Sequence, residues 1–175
     1  MSKAINFFEF YQLPVRFELE AGKLKRLFLL KSRESHPDFF TLASAEEQAH
    51  ATHQASINNE AYKTLKDADL RTKHILELFH VIKEEEKYQL APSFLMEMME
   101  INEQLMDAAF NPEARQKINA EVDDLLNSLE ANAKPLRMAF DQTKKIENLI
   151  KLKEIYFHRK YLLRIKEKLD TFATP

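Results

Sequence analysis

The chain has 175 residues, 45% hydrophobic and 31% charged, with a formal net charge of -2, one glycine and no cysteine. A lone Gly22 excludes the Gly-rich phosphate loops, and the absence of thiols excludes disulfides, a cysteine nucleophile and thiolate ligands for zinc or an iron–sulfur cluster. Near-neutrality argues against bulk nucleic-acid binding, and no apolar run reaches the ~18 residues expected of a membrane span.

Met1-Ser2-Lys3 carries no signal-peptide pattern, so a cytoplasmic location is expected. Residues 5–12 form a short aromatic helix in which Phe7, Phe8, Phe10 and Tyr11 are core packing. Pro14 to Leu19 is an extended connector. A basic amphipathic helix follows, from about Glu20 to Ser35, with Leu24, Leu27 and Phe28 on its inward face. Its cations are Lys23, Lys25, Arg26, Lys31 and Arg33, and no carboxylate interrupts them from Gly22 to Arg33.

Pro37 stops this helix, since its ring disfavours helical backbone at His36 and supplies no donor. His36 and Asp38 are left two residues apart in an exposed turn. A cationic face can steer encounter with an acidic partner, and the imidazole and carboxylate can then make directional hydrogen bonds. Taken alone, His-Pro-Asp is only a helix stop. Here a second amphipathic helix returns antiparallel to the first, opened by Ser44 with Glu47 at capping-box spacing and running to about Lys66. Ile57, Ala61, Tyr62 and Leu65 are its inward residues. Glu46, His50 and His53 have a spacing that could hold a metal, but no further ligand is in evident supply and a solvated face is the simpler account.

The run Ile57-Asn58-Asn59-Glu60-Ala61-Tyr62 through Asp67 and Arg71, taken with the His-Pro-Asp turn, resembles a J-domain. J-domains stimulate ATP hydrolysis by chaperones of the DnaK class. The resemblance covers roughly residues 4–76. It implies chaperone contact through His36, Pro37 and Asp38 and through Lys23, Lys25, Arg26, Lys31 and Arg33. Two positions depart from the common pattern: Ser35 replaces an aromatic and Phe39 replaces a cation.

Asp69 is expected to cap a further helix, from about Leu70 to His80. The pattern then breaks down over a linker at 81–91, which includes the charge cluster Glu84-Glu85-Glu86-Lys87. Pro92 opens the next helix at its first position and carries it to Phe110. At about 100° per residue, Phe94, Met98, Ile101, Leu105 and Ala108 form one apolar stripe. Leu95, Met99, Met106 and Phe110 form another, bordered by Met96, Glu100, Glu103 and Asp107. One stripe suffices for a core. The second is either also buried or an exposed Met/Leu interaction patch rimmed by carboxylates.

A J-module followed by a helix reading Phe94-Leu95-Met96-Glu97 resembles the HscB family, the J-protein co-chaperones of iron–sulfur cluster assembly. The resemblance implies two partners: an IscU-like cluster scaffold protein and an HscA-like ATPase of the DnaK class. It implies scaffold contact through Leu95, Met96, Met99, Glu100, Glu103 and Asp107. A further apolar contact is implied on the last helix near Glu154, for which Ile155 and Phe157 are available.

Asn111 and Pro112 restart a helix that Ile118, Val122, Leu125, Leu126 and Leu129 carry to about Ala133, where Pro135 is expected to break or kink it. A final helix is expected from about Phe140 to Phe172; it is rich in lysine and arginine, and a solvated face is the simpler account of that. The expected architecture is all-α, a J-domain at 1–80 and a C-terminal bundle of three helices at 92–175. No enzyme chemistry, cofactor or metal site is expected, and neither nucleic acid nor membrane as partner. Rival readings are a J-protein for a different client and a helical nucleic-acid-binding protein.

Overall fold

The structure, a computed structural model, describes residues 5–83 and 86–173; Met1–Ala4, Glu84, Glu85, Thr174 and Pro175 lie outside them, so the predicted charge cluster is seen only from Glu86 onward. Every regular element among the described residues is helical, and the chain divides into two compact units between His80 and Val81.

In the first unit, α1 (Phe7–Phe10) is capped by Asn6, whose side-chain oxygen accepts from the backbone of Phe8 and Glu9. The predicted helix at 5–12 is trimmed to a single turn because Gln12 takes a left-handed conformation, φ 54°. Helices α2 (Ala21–Glu34) and α3 (Ala45–Lys66) form an antiparallel hairpin, with Phe28 stacked on Tyr62 at 4.3 Å. Leu24, Ala61, Leu65 and Phe17 are buried in it. Leu27, Phe28, Ile57 and Tyr62, all expected inward, are only half-buried.

Two polar side chains hold this unit together. Asn58 is buried in α3, accepts from the Tyr11 hydroxyl at 2.7 Å and donates to the Phe28 carbonyl at 3.1 Å and the Ser32 hydroxyl at 3.0 Å. A buried amide with its bonds made fixes three helices at once. His74, on α4 (Ala68–Leu78), accepts from the Phe7 backbone at 3.2 Å and stacks on Phe7 and Phe8. The cap of α4 is Asp67 rather than Asp69: its carboxylate takes the amides of Asp69 and Leu70, while its own N–H closes α3 on Lys63. No free turn separates the two helices, so the capping position moves back.

The second unit is a bundle of α5 (Pro92–Ala108), α6 (Pro112–Thr143) and α7 (Ile146–Ala173). Phe94, Met98, Ile101 and Leu105 of α5 pack with Ile118, Val122 and Leu126 of α6 and Leu162, Ile165 and Leu169 of α7. The break expected at Pro135 is absent, and α6 runs through the proline. A proline costs one backbone bond and a steric contact with the preceding turn. Burial of Ala133 and Phe140 on either side, with Arg137 paired to Glu130 across the proline, holds the helix together. The chain reverses instead at Lys144, which is left-handed at φ 55°, so the final helix starts at Ile146 and not near Phe140. Residues 86–91, part of the predicted linker, run along α7: Glu86 pairs with Lys153 at 2.6 Å and Tyr88 stacks on Phe157 at 4.4 Å. The Lys153 ammonium holds the Glu86 carboxyl below its usual range.

Candidate interaction surfaces

The first surface is the turn after α2. Ser35 closes that helix, buried, with its hydroxyl donating to the Lys31 carbonyl at 3.0 Å. His36 is extended, φ -67° and ψ 128°, as a residue before proline must be. Its Nδ1 accepts from the Asp38 N–H at 3.3 Å and lies 3.6 Å from the Asp38 carboxylate. In neutral imidazole an accepting Nδ1 leaves the proton on Nε2, which is then a donor. A single 3-10 turn, Pro37–Phe40, follows. The Ser44–Glu47 capping box then anchors the loop, and the Ser44 N–H holds the Glu47 carboxyl below its usual range.

The cations on α2 do not share one face. At about 100° per residue, Lys23, Arg26 and Arg33 fall within a stripe about 80° wide, with exposed Leu30 among them. Lys25 lies on the flank beside exposed Leu29. Arg26 pairs with exposed Glu20 at 3.5 Å, whereas Lys31 differs by being half-buried: it pairs with Glu34 at 3.4 Å and lies over the Phe10 ring at 5.4 Å. Counting charge along the sequence merges these roles, whereas helical angle separates them. Phe39, 73% exposed, and fully exposed Leu42 follow the turn; sequence reasoning named Phe39 only as a departure from the J-domain pattern and gave Leu42 no role. Glu46, His50 and His53 all face solvent, and among the described residues no group of three or more His, Cys, Asp or Glu is arranged to hold a metal.

The second surface is α5. Adjacent residues divide sharply, with Met98 1% and Met99 63% exposed. Phe94, Met98, Ile101, Leu105 and Ala108 are buried, whereas Leu95, Met96, Met99, Met106 and Phe110 are exposed, and so are Glu100, Glu103 and Asp107. Two contacts with α7 set the rotation of the helix. His158 stacks flat on Phe94, and Asn102 donates to the Tyr161 hydroxyl at 3.1 Å. Of the last-helix positions, Ile155 is half-buried and Phe157 lies under Tyr88. Sequence reasoning missed Tyr88 and Tyr161, whose partners lie 69 and 59 residues away. No helix among the described residues is long and apolar enough to cross a membrane.

A helical hairpin that presents His-Pro-Asp at its turn, followed by a separate three-helix bundle, is the architecture of a J-domain co-chaperone. Residues 90–170 match the family model described as the HSCB C-terminal oligomerisation domain. A curated relative from Vibrio cholerae serotype O1 (strain M66-2), named co-chaperone protein HscB homolog, is 39% identical over 113 residues; the match covers 63% of this chain and 66% of the relative, just under two thirds of its length. The homologue of the same name from Photobacterium profundum is 33% identical over 159 residues, 85% of this chain and 93% of the relative. The crystal structure of human co-chaperone protein HscB superposes with a TM-score of 0.81 at 28% identity, covering 100% of this chain and 85% of that one. The chain belongs to the HscB co-chaperone family.

Proposed function

We propose that this protein binds an IscU-like iron–sulfur scaffold through the exposed face of α5 and delivers it to an HscA-like DnaK-class ATPase in the cytoplasm. The J-module, residues 1–80, stimulates that ATPase, and residues 92–175 hold the scaffold. His36, Pro37 and Asp38 engage the ATPase, with Lys23, Lys25, Arg26 and Arg33 steering the approach and Lys31 supporting the helix behind them. Leu95, Met96 and Met99 are the apolar anchors for the scaffold, rimmed by Glu100, Glu103 and Asp107; Ile155 and Phe157 extend the contact from α7. Linking both sites in one chain raises the effective concentration of scaffold at the ATPase. The protein acts by binding alone and carries no cofactor.

The observation that carries the reading is the exposure contrast on α5, where a 1% exposed Met98 adjoins a 63% exposed Met99. A core needs only the first stripe, and an apolar patch left over, ringed by carboxylates, suits a protein partner. The test is a separation of functions. His36→Gln is expected to abolish ATPase stimulation and leave scaffold binding intact, because the imidazole sits in a different unit from α5. Leu95→Ala with Met96→Ala and Met99→Ala is expected to do the reverse. Loss of both functions in either variant, with melting unchanged, would count against the two-site assignment.

A further inference from the structure

The protein holds six methionines and no cysteine, so methionine is its oxidisable sulfur. Those sulfurs are not evenly placed. Met96 is 66% exposed, Met99 63% and Met106 78%, against 1% for Met98 on the same helix and 47% for Met138, alone on α6. At about 100° per residue the three exposed side chains fall within a stripe about 80° wide, with Leu95 about 20° beyond its edge. Phe110, just beyond the helix end, continues the apolar surface.

We propose that Met96, Met99 and Met106 form a peroxide-sensitive modification site whose conversion to sulfoxides switches off docking on α5; the docking half of this inference rests on the scaffold-binding reading above. In each step the thioether sulfur attacks one peroxide oxygen. An S–O bond forms as the O–O bond breaks, the sulfur is oxidised by two electrons, and the proton of the transferred hydroxyl passes to the departing oxygen, which leaves as water. Each sulfoxide replaces a flexible apolar side chain by a polar one. Three such changes beside Glu100, Glu103 and Asp107 leave Leu95 and Phe110 isolated in a polar surface. Docking then has to strip water from new acceptors that the partner does not satisfy. The fold is indifferent, because the stripe that packs on α6 and α7 has its only sulfur at Met98, out of reach. The same exposure that admits peroxide admits a sulfoxide reductase, so the change is reversible.

The experiment treats the full-length protein with graded hydrogen peroxide and follows each methionine by peptide mass mapping. Met96, Met99 and Met106 are expected to take up oxygen well before Met98, with thermal melting unchanged. Titration with a purified IscU-type scaffold should show affinity reduced at least about tenfold, restored by methionine sulfoxide reductases. Met96→Leu with Met99→Leu and Met106→Leu keeps the surface apolar and should bind whether or not it has met peroxide. Oxidation of Met98 alongside the others would overturn the site. Undiminished binding by the oxidised protein would overturn the switch, provided Leu95→Ala with Met99→Ala abolishes binding. If that alanine variant binds as the unaltered protein does, the docking reading itself fails and the switch falls with it, while the oxidation map still stands.

Discussion

His158 lies flat on Phe94, ring centroids 3.9 Å apart and planes within 5°, and this stack ties α7 to the first turn of α5. The imidazole is held below its ordinary pKa by burial, so it is neutral against the ring. Phe94→Ala removes both the stack and a buried ring and is expected to cost about 3–5 kcal/mol in chemical denaturation. Leu95→Ala with Met99→Ala, on the exposed side of the same helix, should cost under about 1 kcal/mol. Equal losses would place the second stripe in the core.

Salt separates the cations of α2. Arg26→Glu with Arg33→Glu should weaken ATPase stimulation most at low ionic strength, the deficit shrinking as salt screens the exposed charges. Lys31→Glu should instead lower stability, by about 0.5–1 kcal/mol, because its ammonium serves Glu34 and the Phe10 ring. A salt-independent defect in the arginine pair would remove that stripe as the steering surface.

Acid should loosen the first unit through His74. Burial lowers its pKa from 6.5 to about 4, so the folded protein refuses a proton that the unfolded chain accepts. Stability from this residue is complete above pH 6.5, declines as pH falls toward 4, and is gone below it. The span corresponds to about 3 kcal/mol. Denaturation midpoints across this range give the slope, and His74→Gln should flatten it. An unchanged slope in the variant would assign the acid sensitivity elsewhere.

Pro135→Ala restores the missing N–H within a helix already continuous across the site, and should stabilise the second unit by about 1–3 kcal/mol. A lower melting temperature in the variant would mean that the ring makes contacts worth more than the bond.

The sequence made α5 legible as a helix with two apolar stripes, because large apolar side chains recur at helical spacing, but that only one stripe packs inward was decided by the structure. His-Pro-Asp and the Ile57–Tyr62 run were legible for another reason, since they carry a family resemblance that spacing alone does not. Of the break or kink expected at Pro135, the break does not occur, because a local rule about proline yields to burial on both sides of it. The true reversal at Lys144 has neither glycine nor proline to announce it. Asn58 was legible as a member of the Ile57–Tyr62 run, but its bonding role was not. Its partners stand 47, 30 and 26 residues away, and only tertiary structure assembles them. Lys31 was grouped with the other cations because charge can be counted in a sequence, whereas the ring beneath an ammonium cannot.

Gln12, His80 and Lys144 all occupy the left-handed region without being glycine. Each such residue carries about 1 kcal/mol of backbone strain that a glycine would relieve. The compensation lies in the denatured chain. With Gly22 as its sole glycine, this polypeptide wanders through a narrower range of backbone states before it folds and surrenders less entropy when it does. The strain at three left-handed positions and the stiffness of the disordered coil are two sides of one composition, and relaxing one of them with glycine would widen the very ensemble from which the native state must be drawn.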